Sequence, residues 1–310
     1  MLINRFDQPG QADHPGRAGF DEFCVWTWTY RQRQPSRYWD PAIWQNGSLL
    51  EGTQGRYGED IHCDYVLDFI RKNRHRPFFA YYPMNLVHGP HDPTPDGRAR
   101  NPGARLNDRS NYPDMVEYMD KCVGRVVEEL DRLGLRENTL LPFTADNGTA
   151  AGLTSQWNGR EIPGGKGTMA DPGIHVPLIA SWRGRMPAGR VCRELVDFSD
   201  FFPTLAEAAG TSLPQGIAID GRSFLPIAQG RRGNPREWVY IHWHDGNEQG
   251  ELRTLHRALR TKRWNLHDDD RLFDMRADPM EQKPWLPGKE PDEASAARKS
   301  LLVVSRNLHP

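Results

Sequence analysis

Leu140-Leu141-Pro142-Phe143-Thr144-Ala145-Asp146-Asn147-Gly148 is the stretch around which the chain is organised. It begins as an apolar run and closes in Asp-Asn-Gly, the pattern of a buried strand that ends in a turn. In an open α/β sheet, ligands bind just beyond the carboxyl ends of the strands. Asp146 and Asn147 therefore stand at the lip of a candidate site, and both offer the side-chain oxygens that hard cations such as Ca2+ or Mg2+ prefer. A polar loop leads on to Gly164-Gly165-Lys166-Gly167. There Lys166 can set a point positive charge, with neighbouring backbone amides, against an anion. Read alone, Asp-Asn-Gly is equally an ordinary turn, because Asn and Gly tolerate positive φ. Gly-Gly-Lys-Gly alone does not have the phosphate-loop spacing.

Outward from that strand, the pattern alternates between helix and strand. Gly58-Glu59-Asp60 opens a helix that runs to about Asn73, with Tyr65 and Phe69, and Val66 and Ile70, four apart on one side. Phe78-Phe79-Ala80-Tyr81-Tyr82 reads as a short buried strand, and His88-Gly89-Pro90-His91 follows in a Pro-rich loop. A second helix is expected from about Pro113 to Leu133, with Met115, Met119, Cys122, Val126 and Leu130 as its core stripe and Gly134 as its C-cap. Strand, helix, strand is the βαβ arrangement, so the expected fold is α/β with a mostly parallel central sheet between helices. Pro142 cannot donate to a ladder and marks an irregular point or an unpaired side.

Val176 to Trp182 is another short apolar run, and Asp200 to Ala209 is a short helix with Ser199 or Asp200 as N-cap. Beyond Arg236, short strand-like pieces at 238–243, 258–261, 264–266 and 272–273 predict a small C-terminal antiparallel sheet, and 293–308 a closing helix. The domain reading is thus a core over residues 1–235 and a subdomain over 236–310. Residues 1 to 58 show no clear period and read as surface loops.

The totals narrow the class. The 310 residues carry 40 Lys plus Arg against 41 Asp plus Glu, so no basic excess marks nucleic acid as a partner. Ten Trp and several apolar runs argue for a packed core. The four cysteines, Cys24, Cys63, Cys122 and Cys192, are widely spaced and form neither a zinc nor a disulfide pattern. No stretch is apolar enough to span a membrane. Met1-Leu2-Ile3-Asn4-Arg5-Phe6 runs straight into polar sequence, which is not a signal peptide.

The ordered motifs carry a family resemblance. Pro77 to Tyr82 with Val87-His88-Gly89-Pro90, Phe143 to Gly148, Gly164-Gly165-Lys166-Gly167-Thr168 with Pro172-Gly173-Ile174-His175-Val176-Pro177, Val196-Asp197 with Asp200 to Leu205, Asp220 to Leu225, and Leu272 to Met275 with Asp278 to Glu281 resemble, in order, the motifs of the sulfatases of the alkaline-phosphatase superfamily. The match runs from about Gly19 to the end.

The resemblance implies a sulfuric ester hydrolase with an alkaline-phosphatase-like fold, acting on small-molecule or glycan sulfate esters. Asp146 and Asn147 would be two ligands of a Ca2+ ion, Lys166 would bind a sulfate oxygen, and His88 would touch the ester and help protonate the leaving oxygen. Export to a periplasmic or extracellular space is usual in the family.

Departures qualify this. The family's nucleophile is a formylglycine made from Cys or Ser in a [CS]-x-P-x-R motif, and no such motif occurs here. Arg33-Gln34-Pro35-Ser36-Arg37 echoes its end with Arg33 where Cys or Ser must stand. The family's pair of Asp metal ligands and its Lys-x-His motif are not found either. His175 stands where Arg is usual. The chain thus resembles the C-terminal two-thirds of a sulfatase, which leaves open whether Met1 is the natural start, and it is expected to be inactive alone. A related phosphonate or phosphate-ester hydrolase, or a non-catalytic anion- or glycan-binding remnant, are the alternatives. The aromatics of residues 23 to 44 would suit stacking on sugar rings or plain packing.

Overall fold

A computed structural model of the protein describes residues 14–27, 34–246 and 252–308. The opening hexapeptide, Arg33 of the motif echo, and the side chain of His244 lie outside the described residues. The chain forms two compact units, Met1–Arg136 and Glu137–Pro310.

The first unit is built on two helices. After the single turn α1 (His14–Arg17) comes a small antiparallel sheet of β1 (Cys24–Trp26), β2 (Ile43–Gln45) and β3 (Ser48–Leu49), in a region expected to be loops alone. Then follow α2 (Gly58–Asn73), α3 (Pro95–Arg100) and α4 (Tyr112–Arg132). On α4 the stripe read from the sequence faces the core: Met115, Cys122, Val126 and Leu130 are buried and Met119 is partly buried against them, in one cluster with Cys63, Leu67 and Ile70 of α2. On α2 the reading is half right, since of Tyr65, Val66, Phe69 and Ile70 only Ile70 is buried. Each fully buried aliphatic side chain of this kind contributes about 1.5–3 kcal/mol. α4 ends as its glycine requires: Gly134 has φ +67°, and the Leu135 amide donates to the Leu130 carbonyl at 2.8 Å.

Phe78–Tyr82 is not a strand. The segment belongs to no ladder among the described residues. Phe78 and Tyr82 pack against the helix cluster, whereas Phe79 and Tyr81 are 58% and 67% exposed. An alternating aromatic run can bury one side on helices without any strand beside it, and that is what happens here.

The second unit begins with β4 (Leu141–Thr144), continues through the hairpin β5 (Thr154–Trp157) and β6 (Arg160–Pro163), then α5 (Asp171–Ile174) and β7 (Leu178–Ser181). Among the described residues β4 pairs with β7 alone, in antiparallel register from Leu141 opposite Ser181 to Thr144 opposite Leu178. This two-stranded ladder leaves an open edge, the kind of place where Pro142 is tolerated. β4 is half-buried rather than fully buried. Every described ladder is antiparallel, so the mostly parallel central sheet is not among the described residues. The physical reason is the connection: between β4 and β7 the chain makes a hairpin and one turn of helix, and it returns in the opposite direction.

Short helices α6 (Phe201–Ala208) and α7 (Leu225–Ala228) follow. The residue before α6, Asp200, is buried and makes no side-chain cap to it. Instead its carboxylate takes the Arg236 Nε at 2.9 and 2.7 Å and the Arg222 amide at 2.6 Å. The C-terminal sheet appears as expected, four antiparallel strands in the order β11 (Leu272–Asp274), β10 (Trp264–His267), β9 (Leu252–Arg260), β8 (Val239–Gly246). The closing helix α8 (Asp292–Leu308) buries Ala294 and Leu301 with Leu259, Leu266 and Leu272. His242 and Trp243 sit on β8, an edge strand, where Trp243 stacks on His256 at 5.4 Å. Asp268 to Asp270 form the turn between β10 and β11, with Asp270 at φ +63°.

Candidate functional site

Three loops of the second unit meet backbone to backbone. The chain leaves β4 through Asp146, Asn147 and Gly148, whose amide donates to the Gly173 carbonyl at 2.9 Å. The intervening segment, read as a loop, is the β5–β6 hairpin, closed by Asn158 at φ +48° and Gly159 at φ +73°, the two positive values a tight hairpin turn needs. The hairpin returns the chain so that the Gly164 amide donates to the Leu153 carbonyl at 2.8 Å and the Lys166 amide to the Thr149 carbonyl at 3.0 Å. Lys166 is thereby fixed beside the Asp146–Gly148 turn.

The approach is possible only because side chains are missing. A Cβ on Gly148 would overlap the Pro172 carbonyl, and one on Gly173 would overlap the Gly165 and Thr168 carbonyls. Here the glycines serve close approach rather than unusual φ, since neither position has a positive φ. Asp146, Lys166 and His175 reach solvent from this knot, and Asn147 is half-buried.

Asp171, at the start of α5, anchors the third loop. Its carboxylate accepts from Arg260 Nε at 3.1 Å and meets His175 Nδ1 at 3.0 Å, while its amide donates to Glu281 Oε1 at 3.0 Å. Burial pushes the Asp171 carboxyl up, but His175 and Arg260 outweigh it and hold the group below the usual range. The hydrogen bond to Asp171 raises the His175 imidazole. The Glu281 side chain is itself nearly inaccessible, against buried Asn265 and His267: Asn265 Nδ2 donates to Glu281 Oε1 at 2.9 Å. His267 Nε2 stands 2.8 Å from Glu281 Oε2, a close polar contact without the alignment of a hydrogen bond. Glu281 holds the left-handed value φ +55°, a conformation a non-glycine residue keeps only when its surroundings demand it.

His88 belongs to the first unit. It is exposed, its amide donates to the Asn85 carbonyl at 2.8 Å, and Nδ1 lies 2.6 Å from the Gly89 carbonyl. Buried side chains hold its loop. The Tyr38 hydroxyl donates to the Asn85 and His88 carbonyls at 2.9 and 2.5 Å. Glu59, fully buried, accepts the Asn85 amide at 2.6 Å and the Tyr82 hydroxyl at 3.2 Å. Burial pushes the Glu59 carboxyl up to about 7. His91 is buried beside Tyr112 rather than solvated, with ring centroids 5.8 Å apart.

The structure thus brings Asp146, Asn147 and Lys166 into one loop knot. Asp146 and Asn147 match calcium in kind, as hard oxygen donors. They do not match it in number, because the ion takes roughly six to eight oxygens. Among the described residues, no three His, Cys, Asp or Glu side chains gather as a metal-binding group. All four cysteines are free thiols, and no described helix is long and apolar enough to cross a membrane. Sequence reasoning missed Asp171, Arg260, Asn265 and His267, whose partners lie far off in the chain.

Comparison with known proteins gives a consistent picture. The profile of the Sulfatase family matches residues 4–211, and that of the C-terminal part of N-sulphoglucosamine sulphohydrolase matches residues 165–305. Steryl-sulfatase of Mus musculus is 33% identical over 264 residues, 74% of this chain and 41% of that protein. N-acetylgalactosamine-6-sulfatase of Homo sapiens is 35% identical over 175 residues, 55% of this chain and 32% of that protein. The chain therefore spans less than half the length of these curated relatives. Among solved structures, Ps i-CgsB superposes with a TM-score of 0.73 at 25% identity, covering 96% of this chain and 66% of that one. That protein has also been solved in complex with k-i-k-neocarrahexaose.

Proposed function

We propose, since the chain belongs to the sulfatase family, that its loop knot serves sulfuric ester hydrolysis, on small-molecule or glycan sulfate esters. The observation that carries this reading is the glycine-mediated contact that sets Lys166 beside Asp146 and Asn147. A lysine on a loop fastened by its backbone to the turn that carries a carboxylate and an amide oxygen is a pairing suited to holding a sulfate group together with a divalent cation. Asp146 and Asn147 would supply part of the shell of a Ca2+ ion, which when bound adds positive charge against the sulfate oxygens. Lys166 binds a sulfate oxygen. His88 contacts the ester and gives a proton to the departing alkoxide, which otherwise leaves as a poor leaving group.

The names of the relatives give the substrate class its two poles, a sterol in one case and an amino sugar in the other. A phosphate or phosphonate ester would meet the same cation and lysine. The 310 residues contain no Cys or Ser in a [CS]-x-P-x-R setting, so this chain supplies no formylglycine. That observation favours a second reading beside the first: the 310-residue chain binds the anion and does not turn it over.

The test is calorimetric titration of the chain with inorganic sulfate, with and without Ca2+, beside an aryl-sulfate hydrolysis assay. Binding that strengthens with Ca2+ and falls with Lys166→Ala supports the site. Binding indifferent to both removes it. Hydrolysis that Lys166→Ala abolishes would sink the claim that the chain alone does not turn over.

A further inference from the structure

We propose that a cleft in the first unit, floored by Trp26 and Trp39 and armed by Arg98, is a separate anion subsite. Its ligand would be an acidic group, sulfate or carboxylate, on a sugar unit next to the one bearing the ester. The ligand's identity as a saccharide rests on the proposed function; the cleft's preference for an anion rests on its own chemistry.

The cleft encloses about 420 Å3 and is lined by Trp26, Trp39, Arg37, Arg98, Pro90 and Leu106, among others. That is the size of cavities that take small organic ligands. Its floor is fixed before any ligand arrives. Trp39 Nε1 donates to the Pro93 carbonyl at 2.8 Å, and Trp26 Nε1 to the Ser36 carbonyl at 2.9 Å. The Arg98 guanidinium lies 3.7 Å above the Trp39 ring and that of Arg37 lies 4.6 Å from the Trp26 ring. A guanidinium parked on an indole keeps its charge and its in-plane N–H donors, and it loses much of its rotational freedom in advance. An anion that meets it therefore has less side-chain order left to impose.

The neighbouring charges decide that Arg98 is the free hand. On the same short helix, Arg100 is paired with Asp114 and Glu117. Nearby, Lys121 is paired with Asp96 at 2.7 Å. Two carboxylates line the cleft, but each has an oxygen committed to backbone: Asp40 accepts the Gly55 amide at 2.5 Å and Asp92 the Asn107 amide at 2.9 Å. Among the described residues, none of the carboxylates pairs with Arg98, whose partner is the Trp39 ring.

Two features point to a sugar as the carrier of the anion. Leu106, 61% exposed, and Pro90 give apolar walls of the kind that meet the C–H faces of a pyranose. Pro90 also stands two residues beyond His88, so the cleft opens beside the residue assigned to the ester oxygen. A ligand in the cleft would then be the adjoining unit rather than the reacting one.

The experiment is calorimetric titration of the full 310-residue chain with three size-matched disaccharides: one sulfated, one carboxylated and unsulfated, one neutral. Both acidic probes, or one of them, should bind more tightly than the neutral one, and the order between them tells sulfate from carboxylate as the preferred group. Arg98→Ala should weaken the acidic probes roughly tenfold or more, as loss of a hydrogen bond to a charged group does, and leave the neutral probe unchanged. Trp39→Phe keeps an aromatic floor and should cost less; Arg98 is exposed, so its variant is expected to fold, as a melting curve will check. Equal binding of all three probes, no binding, or indifference to Arg98→Ala overturns the subsite. Loss on Lys166→Ala but not on Arg98→Ala places the sugar elsewhere and also overturns it. Binding through Arg98 in a chain whose sulfate site has failed its own test leaves the cleft standing without the sulfatase reading.

Discussion

The segment that ends in His88 and the loops that carry Asp146, Asn147 and Lys166 are held by opposite means. The first is gripped by buried polar side chains, Tyr38 and Glu59, which reach its backbone from elsewhere in the unit. The second is held by backbone on backbone, at places where side chains have been removed altogether. A grip made of side chains carries titratable groups and responds to pH. A grip made of glycine contacts has nothing to titrate, and it fails by steric overlap.

The harshest way to break the second grip is to add one methyl group. Gly148→Ala would put a Cβ into the Pro172 carbonyl. We expect a loss of about 3 kcal/mol or more in a denaturant melt, at the upper end for overpacking, and a loss of the sulfate binding proposed for Lys166.

The first grip is expected to show its titratable nature. Glu59 is pushed up to about 7 by burial, and its neighbour His62, 4.0 Å away, is pulled down to about 4 by burial. For Glu59 the folded state holds the proton more tightly, so its contribution is full below the ordinary value of 4.5 and is lost as pH rises to about 7. For His62 the unfolded state holds the proton more tightly, so stability rises with pH from about 4 to the ordinary value of 6.5. The two slopes oppose each other over most of this window. Relative to the unsubstituted chain, Glu59→Gln should uncover a rise of stability with pH and His62→Gln a fall, read from urea midpoints across pH 4 to 7. Identical pH profiles for all three chains would show that the pair does not titrate in this way.

Tyr38→Phe is milder. It removes the hydroxyl shared by the Asn85 and His88 carbonyls. A cost of about 1 kcal/mol is expected from removing a hydrogen-bond donor from two partly buried carbonyls, with faster amide exchange confined to the segment before His88. The smallest effect belongs to an exposed titratable pair beside the glycine knot. The His175 side chain is 73% exposed, so its pair with Asp171 is worth well under about 1 kcal/mol. Its raised value means that this small contribution is full below 6.5 and fades as pH rises past the raised value. His175→Ala should therefore move stability slightly at low pH and hardly at all at high pH.

What the sequence revealed follows from the range of each interaction. The two long helices were legible because a 3.6-residue period is written locally, and on α4 it also named the buried stripe, as Met115, Cys122 and Leu130 show; on α2 it named Tyr65, Val66, Phe69 and Ile70, of which Ile70 alone is buried, beside Ile61, Cys63 and Leu67. The C-terminal sheet was legible for the same reason, through its tight polar turns. Phe78 to Tyr82 misled because an aromatic run looks the same whether helices or strands cover it. The parallel sheet was inferred from an alternation of elements, which does not fix the direction in which the chain returns. Motif order picked out Asp146, Asn147 and Lys166, but nothing local pointed to their supports. Arg260 reaches Asp171 across 89 positions and Glu281 reaches it across 110, and interactions at that range leave no mark on neighbouring residues.

That last support has a practical side for anyone preparing shorter versions of this protein. The boundary read at residue 235, where the pattern changes to short strands, looks like a natural place to end a clone. Yet Arg260, Asn265, His267 and Glu281 all lie past it, and together they are the mould against which the Asp171 turn is cast. A polypeptide ending at 235 would still spell out Asp146, Asn147, Lys166 and His175, but it would have no template for setting them. The C-terminal strands are part of the tooling of the loops and are not a detachable accessory.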